Sequence, residues 1–172
     1  GDRVGYMSER NPLYPHMYVR EYLDWITSVR SSSSEHTVDW VIEKVGLQEV
    51  AGKKISQLSK GFRQRVGLAA TLLPNPDVII LDEPINGLDP IQIEQYRNLI
   101  KSIAKDKIII LSSHLMQEIE ALCDRVLLLQ DGKIKEDRLL QNVSDQSKYI
   151  ITLTLNNSIE ESLLKSIDGV ID

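Results

Sequence analysis

Three short aliphatic runs constrain this chain more than any other feature: Val78 to Leu81, Ile108 to Leu111 and Val126 to Leu129. Each is too short for a buried helix, and none alternates with polar residues. That is the pattern of strands covered on both faces of a parallel sheet. Between the first two runs, Ile93, Tyr96, Leu99, Ile100 and Ile103 recur at helical spacing. Between the second and third, Leu115, Ile119 and Leu122 do the same. The order strand, helix, strand, helix, strand predicts an α/β layer with right-handed crossovers. After the third run, "LQDGKI" carries an Asp-Gly turn and predicts a hairpin.

The stretch before the first strand is of another kind. Val19, Tyr22, Leu23 and Ile26 share one helical face, with Pro15 ahead of them as a helix starter. Val38, Val41, Ile42 and Val45 share another, in a helix expected to end at Gly46. The polar run "RSSSSEH" separates the two as a loop. A third helix is predicted from just after Ser59 to Leu73, stopped by "PNP". Residues 12–75 thus read as a helical subdomain set before a catalytic α/β part at 76–136. Residues 137–172 carry an alternating strand followed by a helical pattern, and read as the start of a small α+β accessory domain.

In open α/β sheets, ligands bind beyond the carboxyl ends of the strands. The first strand ends there on Asp82-Glu83, and the second on Ser112-Ser113-His114. A hard carboxylate for Mg²⁺, a second as base and an imidazole to sense a phosphate would suit an activated water. The competing reading is that Asp82 and Glu83 only cap the next helix, and that His114 is a loop residue. Ser59 and Gly61, with Lys60, Arg63 and Arg65 around them, set a helix N-terminus and positive charge where a phosphate could dock. Ser-x-Gly before a helix is also a common plain cap. Tyr14, Tyr18, Tyr22 and Trp25 form either a docking face or the core of the helical part. His16 and His36 lack partners at ligand spacing.

Composition narrows the classes. The 172 residues suffice for one domain with a core, and a net charge of -5 argues against a nucleic-acid surface. The single cysteine, Cys123, excludes an internal disulfide framework. No apolar run approaches the roughly 20 residues that cross a bilayer, and no signal-peptide core opens the chain. The simplest placement is cytosolic, with any membrane spanned by another chain.

"LSKGFRQRVGLAATLL", "VIILDEP", "NGLDP" and "LSSH", in this order, resemble the ATP-binding subunit of an ABC transporter over about residues 1–136. The wording is most similar to bacterial exporters of the gliding-motility-associated type. The resemblance implies a partial RecA-like P-loop NTPase sheet carrying the ABC helical subdomain. By it, Ser59, Lys60 and Gly61 in the signature loop contact ATP held by a partner subunit. Asp82 matches the Mg²⁺-holding Walker B aspartate and Glu83 the catalytic glutamate. Gly87 and Asp89 fall in the D-loop, and His114 is the switch histidine on the γ-phosphate. "VGYMSE" resembles the Q-loop, with Glu9, in place of the usual glutamine, reaching toward metal. "NPLYPHMYVREYL" resembles the segment that docks on membrane subunits. ATP and Mg²⁺ are the implied cofactors. A transmembrane permease and a second ATP-binding subunit, identical or paired, are the implied partners, at the cytoplasmic face of the inner membrane.

Lys60 and Phe62 replace the glycine and glutamine common in the signature. Lys60 either strengthens a phosphate contact or is solvated; Phe62 is expected to pack. Nothing matches G-x-x-x-x-G-K-[ST], the loop that cradles ATP phosphates, and Gly52-Lys53 in "AGKKI" is no substitute. The chain therefore reads as part of a longer ATPase, inactive alone. A soluble ABC protein without a membrane partner, or a non-catalytic fragment, are the alternatives.

Overall fold

The computed structural model describes residues 3–29 and 36–140, together with the backbone of 149–154. Strand β1 is Val4–Met7, followed by helices α1 (Val19–Val29), α2 (Val38–Val45) and α3 (Lys60–Leu72). Strand β2 (Val78–Leu81), helix α4 (Pro90–Ile103), strand β3 (Ile108–Leu111) and helix α5 (Met116–Leu122) come next. Strands β4 (Arg125–Gln130), β5 (Lys133–Leu139) and β6 (Tyr149–Thr154) complete the chain's described elements. They form one sheet in the order β1-β2-β3-β6-β4-β5, parallel except for the β4–β5 pair.

All three aliphatic runs are strands. Asp131 and Gly132 both take positive φ, 51° and 71°, which closes the β4–β5 turn as the Asp-Gly pair predicts. The fourth parallel strand, β1, is not announced by its sequence. In "VGYM" the glycine breaks the aliphatic pattern, so only pairing with β2 defines it.

Local signals start and stop the helices. Thr37 caps α2, its hydroxyl accepting from Trp40 N at 3.1 Å, and Gly46 ends it at φ 71°. Asp89 caps α4 by accepting from Gln92 N at 2.9 Å, with Pro90 at the first helical position. Pro15 does not start α1. It sits in a turn tied to the next segment by Ser56 N donating to its carbonyl, and the helix opens at Val19. Leu115 also departs from expectation: it precedes α5 and is 38% exposed, whereas Ile119 and Leu122 are buried.

Every crossover from β1 to β2, to β3 and on to β4 steps the same way, so right-handedness sends α3, α4 and α5 to one face of the sheet. Met7, Ile79, Leu81, Ile109 and Leu111 face them and are at most 1% exposed. Each such side chain contributes about 1.5–3 kcal/mol by leaving water. Alternate residues on the other face fare differently: Val4 is 53%, Tyr6 59% and Ile108 39% exposed. Cover on both faces, expected from the unbroken aliphatic runs, is therefore seen on one face among the described residues.

The boundary expected after residue 136 falls inside β5, and β6 hydrogen-bonds between β3 and β4 in the same sheet. The helical pattern beyond Thr154 and most of the "RSSSSEH" loop lie outside the described residues.

Candidate active site

The rim at the carboxyl ends of β2 and β3 is built by adjacency in the sheet. Leu81 and Leu111 are register partners, so the residues after each emerge side by side. Ser112 N donates to Leu81 O at 2.9 Å and carries the pairing one step past both strands. Asp82 N in turn donates to Met7 O at 2.9 Å, which aligns the end of β1.

On this frame the distant imidazole meets the acidic pair. His114 Nδ1 lies 2.8 Å from Glu83 Oε2. An ionised carboxylate only accepts, so Nδ1 then carries the hydrogen and Nε2 is the nitrogen left for a ligand. Glu83 itself has φ 45°, a left-handed conformation rare for a residue with a side chain. Such conformations cost of order 1–3 kcal/mol and persist where the surroundings hold them. Here Glu83 N donates to Ser112 Oγ at 2.9 Å. Asp82 Oδ1 accepts from that same hydroxyl at 2.7 Å, and Oδ2 has Tyr6 OH at 3.4 Å. Partial loss of water around the phenol, then the Asp82 charge, push Tyr6 above the usual tyrosine range.

Glu9 joins from the loop after β1. Its Oε1 accepts from Asn86 Nδ2 at 3.0 Å, which ties that loop to the turn following Glu83. Asn86 leads to Gly87, whose φ of 70° suits glycine, and the Lys60 ammonium packs against its Cα, where a Cβ would collide. Lys60 is thus not purely solvated, and it shares a cavity of about 390 Å³ with Glu9. The capping alternative for Asp82 and Glu83 is removed by Asp89, which fills that role for α4.

Ser59 and Gly61 occupy a different place. The Ser59 hydroxyl accepts from Phe62 N at 3.3 Å as the N-cap of α3, and Gly61 is buried against Gln92 of α4. They line a cavity of about 210 Å³ with Arg65, Leu88 and Gln92. Arg65 holds the far wall, donating to Val45 O at 2.7 Å and to Gln95 Oε1 at 3.2 Å. Burial lowers its pKa. Phe62 packs against the core, as expected. Among the described residues, no hydrogen bond runs from Ser59 or Gly61 to Asp82, Glu83 or His114.

The sequence shows these residues but not their contacts. Ser112 stands at the rim, and Tyr6, Asn11 and Asn86 fall inside the quoted motifs, with nothing in the sequence to pair them. Asn11 Nδ2 donates to the buried Gln64 Oε1 at 2.7 Å. Asn11 lies over Gly67 of α3 so closely that a Cβ there would collide with it. The available signal was weak: a doubled serine before His114, and a glycine inside a helix.

The donor set bears on the metal. No group of three or more His, Cys, Asp or Glu among the described residues closes on a point. A dedicated protein cage is therefore not present there. One or two carboxylates beside a phosphate are the usual holders of a water-rich Mg²⁺, and Asp82, held by the Ser112 hydroxyl, is a carboxylate of that kind.

A parallel α/β sheet with acids and an imidazole at its carboxyl edge, preceded by a helical layer, is consistent with the fold of P-loop-type nucleotide hydrolases. Residues 1–86 match the model of the ABC transporter family, and the chain belongs to that family. It is 36% identical to the bacitracin transport ATP-binding protein BcrA of Bacillus licheniformis, over 98% of this chain and 60% of that protein. It is 35% identical to the lantibiotic transport ATP-binding protein SrtF of Streptococcus pyogenes, over 91% of this chain and 66% of that one. An uncharacterized ABC transporter ATP-binding protein of Bacillus subtilis, YdbJ, is 35% identical over 87% of this chain and 49% of its own length. The chain spans 47% to 66% of the length of the curated relatives it matches here. No helix among the described residues is long and apolar enough to cross a membrane.

Proposed function

We propose that the complete protein is the ATP-binding and hydrolysing subunit of an ABC transporter, acting beside a membrane permease at the cytoplasmic face of the membrane. The observation that carries this reading is the Glu83–His114 contact of 2.8 Å next to an Asp82 carboxylate held by Ser112. Family membership and the relatives' names support it.

In this reading Glu83 takes or orients the proton of the attacking water, and its held backbone fixes where that water sits. His114 turns Nε2 to the γ-phosphate while its other nitrogen keeps Glu83 in line. Asp82, with Glu9, would hold Mg²⁺, which when bound neutralises charge on the β- and γ-phosphates. Ser59, Lys60 and Gly61 serve ATP held mainly by a second subunit, which accords with the absence of any hydrogen bond from Ser59 or Gly61 to Asp82 or Glu83 among the described residues. Gly87 and Asp89 lie between the two groups and carry the contact from one to the other. The helical part at 12–75 and the sheet-bearing part from 76 onward, β5 and β6 included, are the working units.

Glu83→Gln in the full-length protein tests the reading. Turnover of ATP should fall by roughly 100- to 10,000-fold, the usual loss when a positioned general base is removed. Nucleotide affinity should remain. Unchanged turnover would remove Glu83 from the chemistry, and with it the proposal.

A further inference from the structure

We propose that Ser112 is a positioning residue for both acids of the rim: its hydroxyl fixes the Asp82 carboxylate for the metal and holds the Glu83 backbone in its left-handed turn. The proposal rests on the ATPase reading above and adds a role that the sequence motifs do not assign.

The direction of both hydrogen bonds is determined by chemistry. An amide N–H can only donate, so Ser112 Oγ accepts from Glu83 N at 2.9 Å. The hydroxyl has one hydrogen, and Asp82 Oδ1 at 2.7 Å receives it. One atom thus clamps two consecutive residues on β2's end from the neighbouring strand. Removing it leaves Glu83 N–H without its partner at φ 45° and lets the Asp82 carboxylate turn.

Neighbouring groups do not duplicate the clamp. Ser113 is buried and spends its hydroxyl on Leu115 N at 3.1 Å, where it stabilises the entry to α5. Tyr6 touches the other Asp82 oxygen, at 3.4 Å and from an exposed position. It does not reach Glu83 by any hydrogen bond among the described residues. The doubled serine therefore divides into one residue for the rim and one for the helix.

A residue that orients a metal-holding carboxylate, when removed, usually costs 10- to 100-fold in metal affinity or activity. The test uses full-length protein carrying Glu83→Gln, so that bound nucleotide persists while Mn²⁺ is titrated in the presence of ATP and followed by electron paramagnetic resonance. Adding Ser112→Ala should weaken Mn²⁺ by about ten-fold or more. Adding Ser112→Thr, which keeps the hydroxyl, should restore most of it. In the otherwise native protein, Ser112→Ala should lower kcat more than it raises KM for ATP.

Mn²⁺ affinity within two-fold of the parent in the Ser112→Ala protein would overturn the proposal. So would equal losses for Ala and Thr, since a packing role does not need the hydroxyl. Failure of the underlying reading looks different: Glu83→Gln protein would then hydrolyse ATP at the native rate, whatever stands at position 112.

Discussion

The rim after β2 and β3 and the cap of α3 are both polar and both made of residues that resemble nucleotide-binding motifs, yet they are held together in opposite ways. The rim is a closed set of side-chain bonds: His114 on Glu83, Ser112 on Asp82 and on the Glu83 amide, Asn86 on Glu9. The α3 cap is satisfied locally. Ser59 bonds its own helix, and Arg63 donates to Leu58 O one turn away. Both bring residues distant in sequence together, Gly61 against Gln92 in one and His114 against Glu83 in the other, but in the rim the residues that resemble the motifs bond to one another. The second subunit enters the proposed function through the likeness of the α3 cap to the ABC signature loop, and the local bonding of that cap is in keeping with it.

Substitution at Ser59 can break the contrast. If the hydroxyl serves α3 alone, Ser59→Ala costs about 1 kcal/mol of stability and leaves turnover as it was. If it also reaches a nucleotide phosphate across a dimer, it loses a bond to a charged group, of order 1.5–3 kcal/mol. The full-length protein should then show kcat/KM for ATP reduced by roughly ten- to a hundred-fold on top of the loss of stability from the cap. Steady-state ATPase assays beside a thermal melt separate the two. Loss of stability without loss of kcat/KM would make Ser59 a cap and nothing more.

A smaller effect sharpens the comparison from the other side. The loop that brings Glu9 to the rim also brings Asn11 onto α3, through Gln64 and the space left by Gly67. Gly67→Ala gains helix propensity but crowds Asn11, and overpacking of this kind costs about 1–3 kcal/mol. We expect a net loss of stability in denaturant unfolding of the full-length protein. Asn11→Ala should relieve most of it when combined with Gly67→Ala, because the crowding atoms are gone. A Gly67→Ala protein more stable than the parent would show that the loop yields freely, and that the two regions are not braced against each other here.

Much of this was legible in the sequence, for a physical reason. Burial repeats along an element, so strands β2, β3 and β4 show as aliphatic runs and helices α1, α2 and α4 as spaced apolar faces. Caps are local too, which made Ser59 and Gly46 readable. Three features were not legible. Strand β1 is as long as β2 and β3, but Gly5 and Tyr6 break its aliphatic run. The open face carrying Val4, Tyr6 and Ile108 has the same aliphatic alphabet as the covered one. The Ser112 clamp joins residues 30 positions apart, and the Glu9–Asn86 bond residues 77 apart, so no short window holds both partners. The edge that would gather the acids was readable from strand order; the hydroxyl that fastens them was not.

The central claim is that Glu83 and His114 work as one unit on the same phosphate. It is tested most directly by a double-mutant cycle in the full-length protein, measuring kcat for Glu83→Gln, His114→Ala and both together. Groups that act as a unit are strongly non-additive, so the double variant should be no slower than about the worse single one. Losses that multiply, each substitution exacting its full effect in the presence of the other, would contradict the account.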